Sequence, residues 1–288
     1  MAKLTVVVTG AQGQLGRDMA ELLQAQGHDV HGFGRQELDI TDPAQAEARL
    51  AAIRPDAIVH AAAYTKVDQA ETDREEARRV NGEGARILAV VAERIGAKLV
   101  YVSTDYVFNG QGTHPYEEQE PTDPINEYGR SKLAGEEAVK QHCSRFFVVR
   151  TSWVYGAHGQ NFVKTMLKLA EDRSELGVVN DQFGCPTFTK DLAAVIAELV
   201  QTEKYGVYHV SNSGSCSWHE FAVAIFELAG KTHVKVNPIS SSEFPRPAKR
   251  PAYSVFAHKA LADNGFGPMR HWKEALADYF AERRVGVN

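Results

Sequence analysis

The fold class this sequence predicts is α/β: a doubly wound parallel sheet with helices on both faces, carrying a smaller mixed α/β lobe. Three observations predict it. Short β-branched runs alternate with helix-length stretches through the first half, glycines open the first crossover, and after Gly156 the rhythm loosens into helices separated by polar, irregular segments. The early strands read as continuous apolar runs rather than alternating ones, so they are buried on both faces, as in a parallel sheet between helical layers.

The elements follow in order. LTVVVTG (4–10) reads as a buried strand, and apolar Leu15, Met19, Leu22 and Leu23 mark a helix over 14–26. HDVHGFG (28–34) is a second strand, and the stretch 43–53 opens with proline at a first helical position. DAIVHAAA (56–63) is a third strand, a helix over about 80–95 leads to the fourth, KLVYVSTD (98–105), and a helix over 127–141 leads to RFFVVRTSWVYG (145–156), a fifth strand with room for a sixth. Beyond it, helices are expected over about 161–171, 189–200 and 217–229, and GVYHV (206–210) is expected to return to the main sheet. The proline-rich stretch 237–254 cannot stay regular for long. Residues 1–150 are therefore read as the sheet domain and 151–288 mainly as the second lobe.

Composition narrows the function. A net charge of −5 argues against a nucleic-acid partner, and no run approaches the roughly eighteen apolar residues of a membrane span. Three widely spaced cysteines make neither a disulfide framework nor a zinc site and, with no secretory leader ahead of the first strand, point to the cytoplasm. Among eleven histidines, none in a metal-binding pattern, His28 and His31 at the entry to the second strand are expected on the surface.

TGAQGQLG (9–16) sets glycines at 10, 13 and 16 between the first strand and the first helix. Glycine permits the tight turn and brings backbone N–H groups up to a pyrophosphate at the helix N-terminus, the dinucleotide fingerprint of a Rossmann domain. Gly10, Gln12, Gly13, Gln14, Leu15 and Gly16 are thus cofactor candidates. At the tip of the second strand an acid favours NAD and an arginine accommodates the 2′-phosphate of NADP. Arg35 leans toward NADPH or dual use, and Asp39 with Ile40 suits the adenine end. After the third strand, the small residues of HAAAYTKVD let a flat ring approach the backbone, which adds Ala62, Ala63 and Tyr64.

VSTDYVF (102–108) stands at the end of the fourth strand, where parallel sheets bind ligands. Thr104 is placed to aim a hydroxyl at a substrate oxygen. Only one of the ten tyrosines has a lysine four residues on: Tyr128 with Lys132, on one face of the next helix. A free tyrosine near pKa 10 is a weak acid–base group at neutral pH, and a neighbouring ammonium is expected to lower that value. Lys132 is also within reach of a nicotinamide ribose.

A glycine triplet after the first strand, a hydroxyl residue after the fourth and Tyr-x-x-x-Lys on the next helix resemble the extended short-chain dehydrogenase/reductase superfamily. STDYVFNG, YGRSKLAGE, RTSWVYG, NFVKTMLKLA, NDQFGCPT and RPAYS narrow the resemblance to its dTDP-4-dehydrorhamnose reductase family and span most of the chain. The resemblance implies reduction of the C4 ketone of dTDP-4-dehydro-6-deoxy-L-mannose to dTDP-L-rhamnose with NADPH or NADH. Tyr128 would protonate the C4 oxygen, Lys132 would tune Tyr128 and hold the ribose, and Thr104 would hydrogen-bond the reacting oxygen. Asp105, Tyr106 and Trp153 would shape the sugar pocket, and Arg250 is a candidate for the substrate diphosphate. In some members the resemblance brings a homodimer joined through a carboxylate-bound Mg²⁺. Asp18 and Asp191 are candidates at two of those positions, no third is found, and no metal site is predicted. Two other readings share these features: a nucleotide-sugar epimerase that retains NAD⁺, and a non-catalytic NAD(P)-binding module like the regulatory β subunit of methionine adenosyltransferase.

Overall fold

The computed structural model describes residues 2–285, so Met1 and residues 286–288 of the expected second lobe lie outside the described residues. β1 (Thr5–Thr9), α1 (Gln14–Ala25), β2 (Asp29–Phe33), α2 (Pro43–Ile53) and β3 (Ala57–His60) follow the predicted alternation. Asp42 caps α2, its carboxylate accepting from Ala44 and Gln45 N–H at 3.0 and 3.1 Å, with Pro43 at the first helical position. The next helix begins earlier than predicted. It runs as α3 (Arg74–Arg78), a π-helical turn (Arg79–Glu83) and α4 (Gly84–Ile95). β4 (Lys98–Thr104), α5 (Glu127–His142) and β5 (Phe146–Thr151) complete this half.

The second half adds β6 (Val154–Tyr155), α6 (Phe162–Asp172), β7 (Glu175–Val179), β8 (Phe183–Gly184), β9 (Thr187–Phe188) and α7 (Thr189–Leu199). It continues through β10 (Gly206–His209), β11 (Cys216–Ser217), α8 (Trp218–Leu228), β12 (Lys235–Ile239), α9 (Lys259–Asp263) and α10 (Trp272–Val285). β7 with β12 and the last two helices were not foreseen. β12 enters the proline-rich stretch but ends at Ile239, one residue past Pro238.

Six parallel strands form the main sheet in the order β10-β5-β4-β3-β1-β2. Its two-sidedness is written in the period of two. Val6, Val8, Ala57, Val59, Phe147 and Val149 face one core, filled by α1 and by Leu192, Ile196 and Leu199 of α7. Val7, Ile58, Leu99, Tyr101 and Val148 face the other, filled by Leu50, Leu88 and Val139 from α2, α4 and α5. A third core, holding Tyr155, Phe188, Phe221 and Trp272, belongs to the second lobe. The strand order reverses at β1, so a crevice opens beyond the C-terminal ends of β1 and β3, where doubly wound sheets take their ligands.

His28 is not a surface residue. It is buried, and its Nδ1 accepts the N–H of Leu4 at 3.1 Å, because the chain entering β2 packs against the start of β1.

Candidate active site

A cavity of about 950 Å³ opens at that crevice. Gly10, Gly13, Gln14 and Leu15 form one wall. Gly10 has φ 68°, and a Cβ there would lie 2.7 Å from the backbone nitrogen of Ala62, so only glycine makes this turn. Gly13 N–H closes it on Gly10 O at 2.8 Å, and no side chain caps the N-terminus of α1, whose leading N–H groups are left for an anion. Gly16 and Gln12 do not line the cavity. A Cβ on Gly16 would lie 2.1 Å from Gly10 O, so this glycine lets the helix start beneath the turn.

Arg35, Asp39 and Ile40 line the far end, and Ala62, Ala63 and Tyr64 the floor beyond β3. Arg35 is 80% exposed and 3.5 Å from Glu76. Asp39 accepts the hydroxyl and N–H of Thr41 at 2.7 and 2.9 Å, and these hydrogen bonds lower its pKa. The amide of Asn81, in the π-helical turn, ties Tyr64 N–H at 2.8 Å to Ser131 Oγ of α5 at 2.9 Å. Sequence reading missed Asn81, whose only signal was an Asn-Gly pair inside a helical stretch.

The other wall carries the hydroxyls. The Asn126 side chain caps α5 by accepting Gly129 N–H at 2.7 Å, which fixes where Tyr128 leaves the first turn. Tyr128 meets the edge of Tyr106, ring centroids 5.6 Å apart, and lines the cavity together with Thr104. Thr104 Oγ1 donates to Asp105 Oδ1 at 3.0 Å, and Ser254 Oγ donates to Asp105 Oδ2 at 2.7 Å. Ser254, from the RPAYS segment, was not foreseen as part of the site. The structure therefore joins Thr104, Asp105, Tyr106, Tyr128 and Lys132 around one space, with Trp153 on its rim.

The expected lowering of the Tyr128 pKa is not found; burial, and then the charge of Asp105, push it up. Lys132 does not offset this, because its Nζ donates to Val102 O at 2.7 Å and sits 4.1 Å over the Tyr101 ring. Burial lowers Lys132 itself to about 7, against the opposing pull of Glu136. Tyr128 thus stays a protonated phenol through neutral pH.

Arg250 stands apart from that group. With Arg246, Lys66, Asp68 and neighbouring residues it lines a second cavity of about 410 Å³, which shares Thr65 to Val67 with the first. Arg250 Nη1 is 2.6 Å from Asp68 Oδ1, and Arg246 pairs with the other oxygen. Burial opposes ionisation of Asp68, but the two guanidiniums hold it down at about 2. Neither Asp68 nor Arg246 was foreseen. Asp191, one of the two carboxylates weighed for metal, is committed to Arg270 and Asn212. Asp18 instead lies with Glu21 and His158, potential ligand atoms within 4.8 Å of one another.

Asp105 gives a pH prediction. Burial raises its pKa from 3.8 to about 6, so the folded state binds this proton more tightly than the unfolded chain. Its contribution is therefore favourable at low pH and declines as pH rises from about 4 to about 6. At about 1.4 kcal/mol per pKa unit, this is on the order of 2–3 kcal/mol. Asp105→Asn should lack that slope, becoming more stable relative to the parent as pH rises; denaturant titrations at acid and neutral pH check it, and parallel curves would remove Asp105 as the titrating group.

Residues 4–285 match the family model described as the RmlD substrate binding domain. The chain is 46% identical over 278 residues to the spore coat polysaccharide biosynthesis protein SpsK of Bacillus subtilis (strain 168), covering 96% of this chain and 97% of that protein. It is 44% identical to a dTDP-4-dehydrorhamnose reductase of Streptomyces griseus, covering 95% and 92%. The crystal structure of the Bacillus anthracis str. Ames dTDP-4-dehydrorhamnose reductase (rfbD) in complex with NADP superposes with a TM-score of 0.94 at 49% identity, covering 98% of this chain and 100% of that one.

Proposed function

The chain belongs to the RmlD substrate binding domain family, and from that premise we propose that it reduces the C4 ketone of dTDP-4-dehydro-6-deoxy-L-mannose to dTDP-L-rhamnose. It is an NAD(P)H-dependent oxidoreductase. The observation that carries the reading is that Thr104, Tyr128 and Lys132 line one cavity that also opens on the glycine turn.

The residues present fit a dinucleotide. The uncapped α1 N-terminus and Gly10 to Gly13 suit its pyrophosphate, Ala62 and Ala63 leave room for a flat ring, and Arg35 suits a 2′-phosphate at the rim. When bound, the nicotinamide supplies the hydride that adds to C4. As the C4 oxygen gains negative charge, the Tyr128 hydroxyl stabilises it and gives up its proton, and Thr104 adds a second donor when its hydrogen turns from Asp105 to that oxygen. Asp105 orients Thr104 by accepting its hydroxyl proton and, through its charge, keeps Tyr128 protonated until that moment. Trp153 borders the sugar, and the cavity of Lys66, Arg246 and Arg250 suits the diphosphate.

The net charge of −5 supports a reading without nucleic acid, and three buried free thiols support a cytoplasmic one; no helix among the described residues is long and apolar enough to cross a membrane. A homodimer belongs to the same reading, and light scattering of the purified protein decides it. The test of function follows NADH and NADPH oxidation in parallel with dTDP-4-dehydro-6-deoxy-L-mannose. Consumption of either is expected. Folded protein that consumes neither, or that holds stoichiometric NAD⁺ and interconverts epimers, would overturn the reading.

A further inference from the structure

Trp153 sits in the left-handed region at φ 46°, a conformation that non-glycine residues rarely hold without a compensating environment. The environment is specific. The Trp153 indole stacks on that of Trp218, centroids 3.5 Å apart and planes within 9°, and Phe162 packs against Trp218 at 4.6 Å. On another side, a Cβ at Gly184 would lie 2.6–2.8 Å from the indole atoms of Trp153, so the bare backbone of Gly184 is what admits the ring.

Trp218 and Gly184 are carried by one ribbon. β8 pairs antiparallel with β11, Gly184 opposite Cys216 and Phe183 opposite Ser217, and Trp218 is the next residue. Ser217 fixes the start of α8 through a capping box with Glu220, and its hydroxyl also donates to Asn180 at 2.7 Å. The ribbon thus holds both contacts to an indole whose own backbone is strained. Trp218 itself does not line the cavity, whereas Trp153 does.

We propose that Trp218, together with Gly184, is a positioning element that clamps Trp153 against the sugar and so sets the enzyme's affinity for its nucleotide-sugar substrate. This rests on the reading of the cavity as the nucleotide-sugar site. Trp218 acts through Trp153 and is not catalytic; the proton donor and the glycine turn belong to other elements. Its loss should therefore appear in KM and not in turnover.

The experiment compares the full-length parent with Trp218→Ala, Trp218→Phe and Gly184→Ala. It measures kcat and KM for the keto-sugar, NADPH affinity, and the exciton-coupled signal of the stacked indoles in far-UV circular dichroism. Trp218→Ala should lose the couplet and raise KM about 3- to 10-fold, the scale of one aromatic pair, with kcat and NADPH affinity within about two-fold. Trp218→Phe should recover most of the parental KM although its couplet stays lost, a split that a general loss of packing would not give. Gly184→Ala, which pushes the ring from its other side, should raise KM with the cofactor affinity kept, and carries the test if Trp218→Ala fails to fold. The proposal is overturned if Trp218→Ala loses the couplet and keeps the parental KM, or if KM, kcat and cofactor affinity worsen together in Trp218→Phe and Gly184→Ala. A parent that never reduces the keto-sugar would remove the functional reading, and this inference with it, on the parental result alone.

Discussion

Tyr128→Phe is expected to cut kcat for keto-sugar reduction by roughly 10²–10⁴-fold, the contribution of a positioned general acid, with NAD(P)H affinity nearly unchanged. The substitution removes one oxygen and leaves the ring, so the edge contact with Tyr106 and the Asn126 cap that aims the first turn of α5 both survive. What disappears is the phenol proton that Tyr128 holds in the cavity. Thr104 remains, but its one hydroxyl hydrogen is given to Asp105; it can steady the developing oxyanion only by turning that hydrogen away from Asp105, and an aliphatic hydroxyl is too weak an acid to end the step. The raised pKa of Tyr128 works in the same direction, since a phenol that holds its proton through neutral pH is present as the acid when reduction needs one. Single-turnover oxidation of bound NADPH, compared with equilibrium binding of the cofactor, separates the two effects. A variant retaining more than about a tenth of parental turnover would exclude Tyr128 as the donor.

Much of this site could be read in the chain because its parts are local. A strand, a glycine turn and a helix start are contiguous in 4–26, and Tyr128 with Lys132 needs only the helical period to share a face. Contacts between distant segments left no such trace. Ser254 reaches Asp105 across 149 positions, and Asp68 gathers Arg246 and Arg250 from 178 and 182 positions away. Pairing of β7 with β12 is likewise invisible in either segment alone, and Lys235–Ile239 lies where prolines argue against regular structure. The direction of the Tyr128 shift failed for a related reason. Sequence places an ammonium four residues away but does not show that its bond goes to Val102 O, nor that the charge of Asp105 acts on the phenol.

Beneath the hydroxyls lies the interaction whose loss should cost the most stability. Arg150 on β5 and Glu136 on α5 are both buried, and the guanidinium meets the carboxylate at 2.9 Å through Nε and 2.8 Å through Nη2. Ser103, next to Thr104, donates to the same carboxylate at 2.6 Å, so the network joins the end of β4 to the helix that carries Tyr128 and Lys132. Burial pushes Glu136 up, but the hydrogen bonds and charge of Arg150, with Ser103, pull its carboxyl below the usual range. Arg150→Met leaves that carboxylate buried with Ser103 and a longer contact to Lys140, 3.4 Å away, and is expected to cost about 3–5 kcal/mol at neutral pH. The sign of the pH dependence follows. In the parent, a depressed Glu136 contributes stability above its unfolded pKa and loses it as pH falls; in the variant, a raised Glu136 contributes below that value and loses it as pH rises. The gap between the two should therefore be widest near neutrality and shrink in acid. Replacing both partners with methionine should cost less than Arg150→Met alone, because no charge is then stranded. Denaturant unfolding of the single and double variants at two pH values measures all three quantities. A single-variant loss below about 1 kcal/mol that does not change with pH would mean that water reaches Glu136 once Arg150 is gone, and that the pair is held for the alignment of β4 with α5 rather than for its energy.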